Sequence, residues 1–295
     1  MAIANDELDE TRLSHRFLEA NGVRLHYVEA GTGPLVVLLH GFPEFWYCFR
    51  RQIPALVAAG FRVLAPDLRG YNLSSKPPST SDYGMRLLVE DVAALIAAAG
   101  ERSASVIGHD WGGGIAWAFA MQHSAMVERL VILNCPHPER FARGLLHPEQ
   151  LLRSSYVFFF QLPALPEKVA RRAGYARLLD AMRKELVPPF QFTPAEYARY
   201  IEAYAQPGAI KAMIDYYRAM LRPASRVELR VIDAPVLVLW GVRDVHLRQD
   251  LATPTPRLVP NARVEFFPEA SHWLHHERAA QVNQRLLAFL RRGEA

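Results

Sequence analysis

One short motif places an aspartate where a nucleophile would stand. The segment GHDWGGG (residues 108–114) directly follows the apolar run ASVI (104–107) and opens a helical stretch, with Asp110 at its centre. Small residues on both sides permit the sharp strand-to-helix turn of a nucleophile elbow, which lifts the central side chain above a sheet. A carboxylate nucleophile attacks a saturated carbon and forms an alkyl ester, whereas serine would indicate an esterase. The alternative is an ordinary glycine-rich turn or phosphate loop, but the segment has neither a Walker pattern nor GxGxxG.

An acid and a histidine follow in the order expected after such a nucleophile. Asp244 comes just past the apolar run PVLVLWG (235–241), and His272 comes just past the last predicted strand. The carboxyl ends of parallel strands meet at one edge of a sheet, so Asp110, Asp244 and His272 are expected to converge there. Taken alone, Asp244 could be a helix N-cap and His272 a surface histidine.

The loop after the apolar run LVVLL (35–39) is the expected source of an oxyanion hole. It reads His40-Gly41-Phe42-Pro43. Such a loop supplies one backbone amide, and the residue after the nucleophile supplies the second. We therefore expect the N–H groups of Phe42 and Trp111 to be the donors, with His40, Gly41 and Pro43 supporting the loop.

Neither a metal site nor a disulfide is expected. His272, His275 and His276 are close in sequence, but zinc needs three or four ligands and no matching cysteine or carboxylate cluster lies nearby. Their spacing fits a helix start with polar residues on its exposed face equally well. The two cysteines, Cys48 and Cys135, could form one bond, which a chain of this size does not need.

The elements that must position these residues alternate between strand and helix. Asn21-Gly22 separates two alternating segments and predicts a hairpin turn. Unbroken apolar runs of the kind buried on both faces of a parallel sheet then recur, namely LVVLL (35–39), RVLAPD (62–67), ASVIG (104–108), RLVILN (129–134) and PVLVLWG (235–241). Helical patterns at 85–99, 113–123 and 277–291 and a last short strand at 264–267 complete a mostly parallel, doubly wound α/β sheet.

The stretch 136–226 differs from the rest of the chain. It contains no buried-strand run, its aromatic residues fall in helical patterns, and prolines punctuate it. We interpret it as a helical cap, or lid, inserted between two strands of a core made of residues 1–135 and 227–295.

The bulk composition agrees with a globular protein. Hydrophobic residues make up 51% of the 295 residues and charged residues 22%. The net charge of +4 comes from scattered, mostly arginine side chains, so nucleic-acid binding is not expected. No apolar run approaches the roughly 20 residues that cross a bilayer, and the polar N-terminus is unlike a secretory signal. We expect no membrane insertion and a cytoplasmic location.

Four longer motifs resemble soluble epoxide hydrolases, a branch of the α/β-hydrolase family. They are HGFPEFWYCFRRQIPAL (40–56), PDLRGY (66–71), GHDWGG (108–113) and LNCPHP (133–138). The resemblance covers the core throughout and the predicted cap more loosely. It implies an α/β-hydrolase fold, a small apolar epoxide and water as substrates, no cofactor, and a role such as detoxification. Asn72 stands where the family has glycine, and asparagine tolerates the left-handed backbone that glycine adopts.

Two tyrosines match the family positions that hold and protonate the epoxide oxygen. Tyr156 in SSYVFFFQLP and Tyr217 in IDYYRAM are these residues, with Tyr216 as the neighbour that could be mistaken for Tyr217. The alternative is that both are aromatic packing residues of the cap.

Two other functions remain open. Haloalkane dehalogenases share GHDWGG and would use Trp111 to bind halide, whereas haloacetate dehalogenases would carry arginine at that position and an acid at Asn134. A noncatalytic ligand receptor would usually have lost part of the catalytic set, which is complete here. The sequence also leaves open which epoxide is turned over and whether the chain forms a homodimer.

Overall fold

A computed structural model describes residues 8–291, and its strands form a single eight-stranded sheet. Residues 1–7 and 292–295 of the predicted core lie outside the described residues. The order across the sheet is β1-β2-β4-β3-β5-β6-β7-β8. The strands are β1 (Ser14–Ala20), β2 (Val23–Ala30), β3 (Leu35–Leu39), β4 (Arg62–Pro66), β5 (Ala104–His109), β6 (Val127–Leu133), β7 (Val236–Gly241) and β8 (Ala262–Phe267).

The sheet is parallel from β4 to β8, as the buried apolar runs predict. Every residue of β3, β5 and β7 is buried, which explains why these strands are mostly apolar instead of alternating. Ser105 and His109 of β5 are the exceptions. The strand order places the carboxyl ends of β3, β5, β6 and β7 side by side. The predicted α/β-hydrolase fold is confirmed.

The N-terminal hairpin turns at the predicted dipeptide. Asn21 and Gly22 both have positive φ angles, 50° and 74°, between antiparallel partners Ala20 and Val23. Strand β2 then pairs antiparallel with β4. The two antiparallel strands thus form one edge of a sheet that is otherwise parallel.

Helices lie between the strands of the sheet and also along the long segment between β6 and β7. The helices of the strand-alternating part are α1 (Ile53–Ala58), α2 (Met85–Ala98), α3 (Trp111–Gln122), α11 (Leu274–Glu277) and α12 (Ala279–Leu290). Short 3-10 turns are present at Glu10–Arg12, Trp46–Phe49, Thr80–Tyr83, Ser124–Met126, Pro223–Ser225 and Gln249–Leu251. None of the helices in residues 8–291 has the length and apolarity needed to cross a bilayer.

Two helix boundaries differ from the sequence expectation. Helix α3 begins at Trp111, directly after Asp110, and not at Gly113, because Gly112 and Gly113 lie in close contact with neighbouring backbone and side-chain atoms. The predicted C-terminal helix is divided at Arg278, whose φ of −129° separates α11 from α12. Propensity alone places glycines outside helices, and here tertiary packing overrides it.

Seven helices and no strand lie between β6 and β7 in the described chain. They are α4 (Pro138–Gly144), α5 (Pro148–Arg153), α6 (Ser155–Phe159), α7 (Leu165–Ala170), α8 (Ala176–Glu185), α9 (Pro194–Ala205) and α10 (Ala209–Met220). Hydrogen bonds connect two of these helices to the loops between the strands. In α10 the Tyr216 hydroxyl donates to the carbonyl of Arg69, in the loop after β4, at 2.6 Å. Helix α9 is tied to the turn after β3 by Tyr200, whose hydroxyl donates to Glu44 at 3.0 Å.

Candidate active site

Asp110 occupies the elbow between β5 and α3. Its backbone has φ 50° and ψ −119°, a strained conformation for a residue with a side chain. A Cβ on Gly112 would lie 2.0 Å from the carbonyl oxygen of Leu39, and one on Gly108 would lie 2.3 Å from that of Gly112. Only glycine fits at these two positions, so the sequence around Asp110 permits the sharp turn.

The loop after β3 holds the carboxylate of Asp110. The backbone N–H of Phe42 donates to Oδ1 of Asp110 at 2.8 Å. His40 is fully buried and accepts from the Leu68 amide at 2.9 Å through Nε2, and burial lowers the pKa of its imidazole, so it is neutral. A Cβ on Gly41 would lie 2.3 Å from Cβ of Asp110, so this loop packs directly against the elbow.

The other two predicted loop residues also lie at the elbow. Pro43 follows Phe42 in the same loop, through a cis peptide bond. Trp111 is the first residue of α3, where backbone N–H groups have no partner inside the helix. Its amide is therefore available beside Asp110.

His272 lies between two carboxylates. Its Nε2 is 3.5 Å from Oδ2 of Asp110, and its Nδ1 is 2.7 Å from Oδ2 of Asp244. Burial would lower the pKa of His272, but the two carboxylates outweigh it and hold that pKa well above the ordinary value. Burial would likewise raise the pKa of Asp110, but His272, the charge of His109 and the Phe42 amide hold it below the ordinary value. Both shifts favour a protonated imidazole beside an ionised Asp110 in the free protein.

The carboxylate of Asp244 is fully oriented by hydrogen bonds. Oδ1 accepts from the backbone amides of His246 and Leu247 at 2.8 and 2.9 Å. Oδ2 accepts from His272 and from the side-chain amide of Asn134 at 2.7 Å. Burial favours a raised pKa, but the charge and hydrogen bond of His272 lower the pKa of Asp244 to about 2.

The role of Asn134 was missed by the sequence analysis. It has a positive φ of 40°, and its Oδ1 accepts from the Gly241 amide at 2.8 Å while its Nδ2 donates to Asp244. The signal was its position after β6, at the same sheet edge as Asp110. We considered it only as an absent acid.

The two predicted tyrosines lie together above the elbow, one in α6 and one in α10. The rings of Tyr156 and Tyr217 meet edge to face with centroids 5.7 Å apart, and Tyr217 packs edge-on against both Phe42 and Trp111. Within residues 8–291 no group forms a hydrogen bond with the Tyr156 hydroxyl. Burial and then nearby charge, including that of Asp110, raise the pKa of both phenols, so both stay protonated. Tyr216 is instead fully buried and bonded to Arg69.

A second buried group, missed from sequence, lies beneath the site. The fully buried carboxylate of Glu44 contacts His109 and His275 at 3.1 Å and His276 at 2.6 Å, and accepts from Tyr200. His275 and His276 are therefore buried, and the expectation of an exposed polar face was wrong. They are turned towards Glu44 by helix α11, away from His272, so the three neighbouring histidines do not converge.

The expectation that no cysteine or carboxylate lies near these histidines was also wrong. Glu44, Cys48 and His275 bring potential ligand atoms within 4.8 Å of one another, although His275 is far from the other two in sequence. Burial raises the pKa of the Cys48 thiol well above its ordinary value, whereas zinc binds the thiolate. Both cysteines are free, and we assign no metal to this group.

The sheet, the elbow and the histidine between two carboxylates define a hydrolase of the α/β class. A sequence profile described as the alpha/beta hydrolase fold matches residues 34–279. An α/β-hydrolase superfamily protein of Bacillus subtilis, YfhM, is 43% identical over 94% of this chain and 97% of its own length. Human epoxide hydrolase 4 is 36% identical over 93% of this chain and 77% of its own.

Solved structures agree with these relatives. The inhibitor complex of Bacillus megaterium epoxide hydrolase superposes with a TM-score of 0.86 at 32% identity, covering 93% of this chain and 99% of that one. Epoxide hydrolase A of Mycobacterium thermoresistibile gives 0.83 at 32% identity, covering 95% and 98%. The chain belongs to the α/β-hydrolase family and, within it, to the epoxide hydrolases.

Proposed function

We propose that this enzyme hydrolyses an apolar epoxide to a vicinal diol through a covalent ester on Asp110. One observation carries the proposal: an aspartate, not a serine, occupies the elbow, with His272 3.5 Å from its free oxygen Oδ2. An ester of aspartate with an alkyl group is what attack on a saturated ring carbon leaves behind. The names of the relatives support an epoxide as the substrate.

In the first step Oδ2 of Asp110 attacks an epoxide carbon and the ring C–O bond breaks. Oδ1 is held by the Phe42 amide, which leaves Oδ2 as the attacking oxygen. The hydroxyls of Tyr156 and Tyr217 donate to the ring oxygen, and one of them gives its proton to the departing alkoxide. The products are a glycol ester of Asp110 and a tyrosinate. The tyrosinate regains its proton from protonated His272 through water, which leaves the imidazole neutral for the second step.

In the second step His272 takes a proton from water, and the water oxygen attacks the ester carbonyl carbon. Asp244 stabilises the imidazolium that forms. The negative charge collects on Oδ1, where the amides of Phe42 and Trp111 donate to it. The bond between the carbonyl carbon and Oδ2 then breaks, the imidazolium of His272 gives its proton to Oδ2, and the diol leaves with that oxygen. The new carboxyl group of Asp110 passes its remaining proton to His272, which restores the carboxylate.

The division of the chain is part of this proposal. Residues 136–226 supply both tyrosines and act as the cap over a core of residues 1–135 and 227–295. No step needs a cofactor or a metal. A cytoplasmic location and a homodimer remain predictions to be tested by fractionation and by light scattering.

Oxygen-18 tests the covalent route, because direct attack by water and attack by Asp110 give the same diol with different labels. Excess enzyme is mixed with a styrene-type epoxide in oxygen-18 water for a single turnover. We expect an unlabelled diol and heavy oxygen in the peptide that contains Asp110. A fully labelled first diol with an unlabelled peptide would show direct attack by water and overturn the mechanism.

The same enzyme preparation separates the other two functions. A haloalkane that releases halide, with no diol from any epoxide, would indicate a dehalogenase. Tight epoxide binding without product would indicate a receptor. We expect diol formation and no halide release.

A further inference from the structure

Two side chains of helix α5 form hydrogen bonds with the loop that carries Asp244. Gln150, which is fully buried, donates through Nε2 to the carbonyl of His246 at 2.8 Å and accepts through Oε1 from the amide of Arg248 at 2.9 Å. Arg153 donates through Nη1 to the carbonyl of Asp244 at 2.8 Å and to that of Leu247 at 3.5 Å. Two side chains of one helical turn thus bind four backbone groups of this loop.

One peptide group connects Gln150 to the carboxylate of Asp244. The carbonyl of His246 and the N–H of Leu247 belong to the same planar unit. Gln150 donates to its oxygen, and its N–H donates to Oδ1 of Asp244 at 2.9 Å. The position of Gln150 therefore sets the direction of a hydrogen bond that orients the carboxylate, and each bond in such a chain polarises the next.

We propose that Gln150 is a positioning residue for the Asp244–His272 pair, with Arg153 as its helper. The inference rests on the proposed function, because it concerns the hydrolysis of the Asp110 ester. Neither residue reaches Asp110, so both act through Asp244. Gln150 also donates to the Ser154 hydroxyl at 2.9 Å, at the junction of α5 and α6. The segment between β6 and β7 therefore helps to position the Asp244–His272 pair of the core.

The test compares the wild-type enzyme with Gln150→Met, which keeps the side-chain length but loses all three of its hydrogen bonds. Rapid quenching and intact-protein mass spectrometry give the rates of ester formation and ester hydrolysis separately. We expect hydrolysis to slow by about tenfold to a hundredfold, as displacement of a catalytic group does. Ester formation should slow less, so the ester should accumulate in the steady state.

The pH profile of hydrolysis adds a readout that a purely structural role would not move. A poorly oriented Asp244 supports the imidazolium less, so the pKa of His272 in the ester form should fall. The midpoint of the rise in hydrolysis rate with pH should therefore shift to lower pH in Gln150→Met. The side chain of Arg153 is partly exposed, so Arg153→Met should shift the hydrolysis rate and the pH midpoint in the same direction but by less. This variant tests the proposal if Gln150→Met fails to fold.

Asn283→Leu is the matched control. Asn283 is another buried amide, but its Nδ2 donates to the backbone of Arg51 at 2.8 Å. It should lose stability without changing the ratio of the two rates. If the Gln150 variant keeps the wild-type ratio and pH midpoint while the wild-type enzyme makes diol through the ester, the inference is wrong. If the wild-type enzyme makes no ester, it is the proposed function that fails.

Discussion

The ring of Tyr156 meets the ring of Tyr217 edge to face, with centroids 5.7 Å apart, although the two residues come from different helices. Helix α6 carries one and helix α10 carries the other. This contact brings two protonated phenols to the same side of Asp110. Each hydroxyl can be removed by a phenylalanine substitution that keeps the ring.

Replacing either tyrosine by phenylalanine should slow ester formation. Tyr156→Phe and Tyr217→Phe should each lower its rate by about tenfold to a thousandfold, because one donor to the ring oxygen is lost, and the double variant should be nearly inactive. Single-turnover quenching measures the rate. Tyr216→Phe is the control, since Tyr216 bonds to Arg69 and should affect stability alone. Wild-type rates in both single variants would contradict an epoxide as the substrate but not the role of Asp110 as the nucleophile.

His272→Gln should form the ester but not hydrolyse it. The histidine acts as a base only in the second step, whereas Asp110 keeps its amide contact to Phe42. Intact-protein mass spectrometry should show an added mass equal to one epoxide. His123→Gln, at the far end of α3, should turn over normally. An unmodified His272 variant that still makes diol would contradict the assigned role.

The two steps should depend on pH differently. The pKa of Asp110 is held below its ordinary value and those of the two tyrosines above theirs, so ester formation should be nearly constant from about pH 5 to about pH 9. Hydrolysis needs neutral His272. Ester formation removes the charge of Asp110, one of the two carboxylates that raise the pKa of His272, so that pKa falls in the ester.

Hydrolysis should therefore rise with pH through the lowered pKa of His272 and then level off. The ester should make up the largest fraction of the enzyme at the acid end of the range, which quenching during steady-state turnover measures. Equal pH dependence of the two steps would show that His272 is not the base.

Two glycines of α3 should respond in opposite ways to alanine. Gly112→Ala would put a Cβ 2.0 Å from the Leu39 carbonyl, so it should destabilise the fold by at least about 1–3 kcal/mol. A Cβ on Gly114 would meet no atom within 4 Å, and Gly114→Ala should stabilise it by about 0.5–1 kcal/mol. Urea unfolding measures both. Equal effects would mean that close packing does not require glycine at the elbow.

Much of the fold could be predicted because local pattern determines it. A strand buried on both faces is mostly apolar, so β3, β5 and β7 are visible in the sequence as apolar runs without alternation. The hairpin at Asn21-Gly22 follows from the positive φ angles that its turn requires. Since parallel strands end at one edge, the positions of Asp110, Asp244 and His272 after three strands were enough to predict that they meet.

The tertiary structure alone decided which side chains support them. Glu44 and His276 are 232 residues apart, and Gln150 and Arg248 are 98 apart, yet each pair is in hydrogen-bond contact. No local pattern signals such a pair, because each partner has an ordinary role in its own segment, and the helix or loop packing that joins them depends on the whole core. The sequence by itself therefore determined the order of the elements and the residues at the sheet edge. The orientation of Asp244 through Gln150 and Asn134, and the burial of three histidines around Glu44, depend on contacts that exist only once the chain has folded.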